Sequence, residues 1–197
     1  MSMTRRAFVG VGATALGATA LGGAAKAWGK NDDLLRPPVV LDEDVFLSRC
    51  LRCYRCVSVC HTGAIVPATL DDGVIEIRTP KLNFHRGYCD FCNDCIDVCP
   101  TDAITPCDPY NPAEGRIGVA VVDAERCIAY FNGCSKCIEV CPYEALSATE
   151  SGLPVVDESK CNGCGLCVKE CPALVYRSFS GGTTRGIEVV KRHDDAN

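Results

Sequence analysis

Sixteen cysteines recur in register, and their spacing names a chemistry. Cys50, Cys53, Cys56 and Cys60 are spaced C-x2-C-x2-C-x3-C. Cys89, Cys92, Cys95 and Cys99 repeat that spacing, as do Cys161, Cys164, Cys167 and Cys171. Cys127, Cys134, Cys137 and Cys141 keep the last two intervals but place Ile128 to Gly133 between the first two cysteines. Pro100, Pro142 and Pro172 follow the fourth cysteine of three groups, and His61 takes that place in the first. A thiolate run of this register, closed by proline, ligates cubane [4Fe–4S] clusters. Sixteen thiolates are the number that four cubanes need. The expected cofactors are therefore four [4Fe–4S] clusters with all sixteen cysteines as iron ligands, and the expected chemistry is one-electron transfer.

Two other uses of cysteine fit less well. A disulfide framework is common in small cysteine-rich chains, but it rarely repeats one tight register. Zinc sites take four ligands from two separated C-x2-C pairs, whereas here three close cysteines recur with a fourth. Cys107 is left over and reads as a small buried residue. His61, His85 and His193 stand apart from any nucleophile–carboxylate arrangement, and no phosphate-binding loop or hydrolase elbow is present. No catalytic residue is expected. The chain carries a net charge of −5. Residues 1–27 hold Arg5, Arg6 and Lys26 and no acid, so removing these three positive charges leaves −8 on the remainder. An acidic chain with few aromatic residues lacks the phosphate-neutralising surface of a nucleic-acid binder.

The elements that position the cysteines must be short. Gaps 61–88, 100–126 and 142–160 separate the groups, and only one Trp and few aromatics are available for a core. Bound metal must then stand in for missing core. A helical turn is predicted after each fourth cysteine, at Gly63-Ala64-Ile65, Asp102-Ala103-Ile104 and Glu144-Ala145-Leu146. Strands are predicted over the β-branched runs Val119 to Asp123, Pro154 to Asp157 and Gly186 to Val190. The plan resembles the α+β fold of bacterial ferredoxins, arranged as two pseudo-symmetric dicluster units. In such units the fourth cysteine of each group ligates the other cluster, so groups must pair. Sequential pairing joins groups one with two and three with four. Nested pairing joins two with three and one with four, as in the four-cluster subunits of molybdenum oxidoreductases. Both schemes remain open, and Cys60 tells them apart. Its mates are Cys89, Cys92 and Cys95 in the first, and Cys161, Cys164 and Cys167 in the second.

Ahead of this body, Thr4-Arg5-Arg6-Ala7-Phe8-Val9 has the pattern of a twin-arginine export signal. An apolar run rich in Gly and Ala follows, and Ala25-Lys26-Ala27 offers a cleavage site. The predicted organisation is a signal over 1–27, a linker over 28–38, a four-cluster body over 39–192 and a tail over 193–197. Charge is uneven around the groups. Arg49, Arg52 and Arg55 interleave the first, while Asp90, Asp94, Asp97 and Asp102 interleave or flank the second. Positive charge favours the reduced form, so the site of Cys50, Cys53 and Cys56 is expected to have the higher potential of the two. The same arginines suit an acidic partner. The Ile128 to Gly133 insertion reads either as a tolerated loop or as an aromatic-tipped contact surface.

Together, the export signal, the four groups and the widened Cys127–Cys134 interval resemble the NapG/MauM family of ferredoxin-type proteins. The resemblance implies a periplasmic electron carrier at the outer face of the inner membrane, without a substrate site of its own. It also implies a quinol-oxidising, membrane-bound ferredoxin partner of the NapH kind, and a periplasmic redox enzyme or cytochrome at the other end. The alternatives are a tightly bound iron–sulfur subunit of a molybdopterin oxidoreductase, and a structural or maturation protein.

Overall fold

The computed structural model describes residues 33–38, 40, 42–106, 108–111, 116–173 and 185–191. The expected export signal, Cys107 and the expected tail from 193 lie outside these residues. Among the described residues no helix is long and apolar enough to cross a membrane.

Among the described residues the first helix is the longest, α1 (Glu43–Arg49). Asp42 caps it by accepting from the Asp44 and Val45 amides at 2.8 and 3.1 Å. Glu43 and Asp44 lie in its first turn and Arg49 in its last, which matches the helix dipole. Its Phe46 is 1% exposed and packs with Ala103 and Ile104 into a small core of their own. The remaining helices are single turns threaded through the cysteine groups: α2 (Arg55–Val59), α3 (Asp94–Asp97), α4 (Ala129–Asn132), α5 (Lys136–Glu139) and α6 (Leu166–Lys169). Helices this short do not persist alone, so packing and the cysteine sites must hold them. α2 packs on α3, and α5 on α6.

Among the described residues, three antiparallel pairs complete the fold. β1 (Ile65–Pro67) pairs with β2 (Pro80–Leu82), with Val66 opposite Lys81. β4 (Leu146–Ala148) pairs with β5 (Pro154–Val156) through a turn closed by Gly152 at φ 77°. β3 (Val119–Val122) pairs with β6 (Ile187–Val190), with Val119 opposite Val190. The strands read from Val119, Pro154 and Ile187 are therefore present. The helical turns expected after the fourth cysteines are not. Ile65 and Leu146 begin strands, while Gly63 (φ 70°), Asp102 (φ 50°) and Glu144 (φ 51°) are left-handed. One left-handed residue breaks the helical course and redirects the chain as extended backbone.

Residues 33–38 also depart from expectation. Within the stretch expected to be a linker, Arg36, Pro37 and Pro38 are buried. Leu35 accepts a 2.8 Å hydrogen bond from the Leu82 amide, extending the β1–β2 hairpin. Arg36 anchors the segment: its guanidinium pairs with both Glu43 and Glu76, donates to Thr79 Oγ1 and the Pro80 carbonyl at 2.8 Å each, and lies 4.8 Å from the Phe46 ring centre.

The main core is continuous across the molecule. Ala64, Leu82, Phe84 and Phe91 from the first half pack with Ile117, Val119, Val168 and Ile187 from the second. Phe84 sits against Gly165, where an added Cβ would lie 2.1 Å from the ring. Gly165 is also left-handed, at φ 78°. Gly165→Ala combines overpacking with backbone strain and is expected to cost about 2–4 kcal/mol. Gly152→Ala is strained but meets open space, so it should cost about 1 kcal/mol. The rate at which cluster colour is lost in guanidinium ranks the two, and equal rates would contradict the packing argument.

Candidate metal centres

Each tight cysteine group turns on a pair of left-handed residues around its second cysteine. Arg52 (φ 54°) and Tyr54 (φ 64°) flank Cys53, Phe91 (φ 58°) and Asn93 (φ 67°) flank Cys92, and Gly163 (φ 77°) and Gly165 (φ 78°) flank Cys164. Left-handed residues set among right-handed ones turn successive amides to one side and form a concavity that holds an anion. The amide of Arg52 donates to the Cys50 sulfur, that of Asp94 to Cys92, and that of Leu166 to Cys164. The widened group solves the problem differently. Gly133 keeps the left-handed turn (φ 66°), but Ser135 does not (φ −118°). The insertion forms α4, and the Ala129 and Tyr130 amides at its start donate to Cys127.

Backbone amides also reach the other sulfurs. Cys141 accepts from the Ala145 amide and Cys161 from the Ala120 amide, both at 3.4 Å. Threonines stand two residues after the fourth cysteine in the first two groups: Thr62 Oγ1 is 3.4 Å from Cys60, and Thr101 Oγ1 is 3.8 Å from Cys99. Burial pushes the Cys99 thiol up, but the Thr101 and Ala103 amides outweigh it and hold the group below its ordinary pKa. These turn and threonine positions escaped sequence reading, although the shared Cys-x-Thr at 60–62 and 99–101 was there to be seen.

The folded chain gathers all sixteen cysteines into four tetrads. The first consists of Cys50, Cys53, Cys56 and Cys99, around one cavity. The second consists of Cys89, Cys92, Cys95 and Cys60, around another. The third is Cys127, Cys134, Cys137 and Cys171, around a third. In the fourth, Cys161, Cys164 and Cys167 stand with Cys141, whose charge they feel. Cys60 thus joins Cys89, Cys92 and Cys95, and the groups pair sequentially. The fourth cysteine crosses over in every case.

Neighbouring tetrads lie close together, since α2 packs on α3 and α5 on α6. The charge of Cys56 is felt at Cys95 of the second tetrad, and that of Cys137 at Cys167 of the fourth. Between the halves, the Cys89 amide donates to the Cys164 carbonyl at 2.8 Å. Phe91 meets Tyr143 edge-on at 6.2 Å beside that bond. Along the molecule the order is first, second, fourth, third.

The donor set fits a multiply charged metal centre. Burial raises the Cys56, Cys137 and Cys164 thiols to about 11 and Cys95 to about 12, and neighbouring thiolates add repulsion. Four thiolates crowded into an apolar cavity need cationic compensation. Four-sulfur coordination is the preference of iron–sulfur clusters and of zinc, and the repeated register selects the former.

Charge is distributed as the sequence implied, with two refinements. Arg52 turns its guanidinium onto the Ile75 carbonyl at 2.8 Å. Burial raises the Cys50 thiol, and Arg52 and buried Arg36 oppose the rise. At the second tetrad, His61 Nε2 lies 2.8 Å from Asp90 and its Nδ1 3.9 Å from Asp94, on an exposed rim. The histidine that replaces proline thus bridges the acids around Cys92. The Ile128 to Gly133 insertion presents Phe131 (64% exposed) and Tyr130 at the surface.

Family models match the cysteine-bearing body of the chain. One family model, described as a 4Fe-4S dicluster domain, matches residues 49–103 and again 88–145. A second of the same description matches 120–176. Segments 49–103 and 120–176 each enclose one sequential pair of groups, and segment 88–145 encloses the second and third groups. The chain is also 35% identical over 108 residues to the ferredoxin-type protein NapG of Escherichia coli K12, and equally to that of Shigella flexneri. Each match takes in 49% of this chain and 42% of the relative, so the chain spans less than half the length of the curated relatives it matches.

Proposed function

Because this chain belongs to the 4Fe-4S dicluster ferredoxins and is NapG-like, we propose that it relays single electrons through four clusters held by its sixteen cysteines. A [4Fe–4S] cluster accepts and releases one electron with little structural change. The chain's own contribution is to fix the spacing of the sites, exclude water and tune each site by amides and charges. The observation that carries the reading is the Cys89 amide bonded to the Cys164 carbonyl. It joins the inner tetrads of the two halves, so the four sites form one row rather than two separate pairs. Sequential pairing favours a mobile carrier over the subunit of a molybdopterin oxidoreductase, whose groups nest.

The carrier works in the periplasm, reached by the twin-arginine route that Thr4 to Val9 encodes. It takes electrons from a membrane-bound, quinol-oxidising ferredoxin of the NapH kind and delivers them to a periplasmic redox enzyme or cytochrome, acting at the outer face of the inner membrane. It has no substrate site of its own.

Anaerobically reconstituted protein should carry about sixteen irons, four per cubane, and its reduced EPR spectrum should be broadened by coupling between neighbouring centres. Fewer than about twelve irons per chain would refute the four-cluster count. Failure of the reduced protein to pass electrons to any redox partner in stopped-flow mixing would refute the carrier role.

A further inference from the structure

The first tetrad ends the row, and its surroundings differ from the rest of the molecule. Cys53 is exposed, and Leu51 beside it is 66% exposed. Arg49, Arg52, Arg55 and Arg78 are exposed around them. Arg52, Arg55 and Arg78 line the mouth of the cavity that the first tetrad encloses, and no carboxylate lines it. Among the described residues, none of the four arginines forms an ion pair. Two are instead held in place by neutral groups. Arg52 donates to the Ile75 carbonyl, while Arg78 donates to Tyr54 Oη at 2.8 Å and lies 5.2 Å from that ring's centre. Pinned arginines lose less freedom on binding than free ones, so their charge is presented at low entropic cost. This basic face stands on a chain whose body is otherwise strongly acidic, and the second tetrad just behind it is rimmed by Asp90 and Asp94. The first site is therefore basic where the second is acidic.

We propose that the face of Arg49, Arg52, Arg55 and Arg78 around Leu51 and Cys53 docks an acidic redox protein, one whose own redox centre is ringed by carboxylates. This rests on the carrier reading above. The face has the anatomy of a small protein interface: an apolar centre, arginines around it and a sulfur ligand of the terminal site within the footprint. Carboxylates opposite the arginines would steer encounter, and Leu51 would exclude water at the point of closest approach. An anionic membrane would also be drawn to the arginines, but it makes no use of the exposed Cys53.

Cytochrome b5, with its carboxylate-rimmed haem edge, is a suitable probe, and lysine-rimmed cytochrome c the control. The double variants Arg52→Glu/Arg55→Glu and Arg52→Gln/Arg55→Gln are made in the full cluster-loaded chain. The second-order rate of electron transfer to cytochrome b5 should fall about 10-fold at low salt in the Glu variant and less in the Gln variant. The difference should nearly vanish at about 0.5 M salt. Titration calorimetry with redox-inactive, zinc-substituted cytochrome b5 should show binding weakened by about the same factor. Docking acts on the second-order rate and its salt slope, whereas altered driving force acts on the limiting first-order rate. Unchanged second-order rates and affinities in both variants would overturn the proposal. So would a faster wild-type reaction with cytochrome c, or arginine-dependent binding to phosphatidylglycerol vesicles without any effect on cytochrome b5. Loss of electron transfer to both cytochromes in the wild type, with clusters intact and reducible by dithionite, would instead refute the carrier reading.

Discussion

Cys60→Ala will free the thiols of Cys89, Cys92 and Cys95, although they lie in another group of the sequence. The second tetrad takes three ligands from Cys89, Cys92 and Cys95 and its fourth from Cys60. Without that sulfur its centre loses iron, and about four irons per chain mark complete loss. Alkylation followed by mass spectrometry should label Cys89, Cys92 and Cys95, while Cys161, Cys164 and Cys167 stay protected. Nested pairing predicts the reverse labelling. A double variant Cys60→Ala/Cys92→Ala should lose little more iron than either single variant, because both act on one site. Cys60→Ala/Cys164→Ala should lose iron from two. Non-additivity within a site and additivity between sites is the signature to measure. Because the second tetrad lies between the first and the fourth, its loss should also interrupt electron flow along the row while three centres remain in place.

Arg36→Met is expected to be the most damaging substitution outside the cysteines and their turns. Arg36 is the shared cation of two buried carboxylates, Glu43 and Glu76. One oxygen of each has no hydrogen-bond partner, and Lys191 is 3.8 Å from Glu43. Removing one member of such a cluster leaves uncompensated charge in a dry site and costs about 3–5 kcal/mol. The residue also ties residues 33–38, α1 and the approach to β2 together, and it adds positive charge near Cys50. The variant should bleach fastest at the first tetrad when challenged with guanidinium. Adding Glu43→Gln and Glu76→Gln should restore most of the loss, since the charge imbalance is then removed. Failure of that rescue would assign the damage to lost packing against Phe46 rather than to charge.

The contrast between these two results shows what was legible. Ligand identity is a one-dimensional signal: cysteines three or four residues apart ride one turn of chain, so their register reads directly. The strands from Val119 and Pro154 were equally local, because runs of β-branched residues favour extended backbone. Pairing between groups was not local. The gaps at 61–88, 100–126 and 142–160 permit either scheme, and packing at Phe84, Gly165, Phe91 and Tyr143 sits with the sequential one. Arg36 was illegible for the same reason. Its partner Glu76 is forty residues away, and an arginine between leucine and two prolines looks like exposed connection until that partner is known. The helical turns misplaced after Cys60 and Cys141 failed on one torsion each, at Gly63 and Glu144. Composition does not encode that torsion when the residue is not glycine.

The crossing of the fourth cysteines also bears on the order in which the ribosome delivers the ligand sets. The second tetrad is complete once Cys95 has been made, and the first only with Cys99. In the other half the fourth tetrad is complete at Cys167 and the third only with Cys171. In both halves the inner set is finished a few residues before the outer one. A nascent chain that meets its iron early therefore gains the inner site before the outer one within each half, in the order second, first, fourth, third.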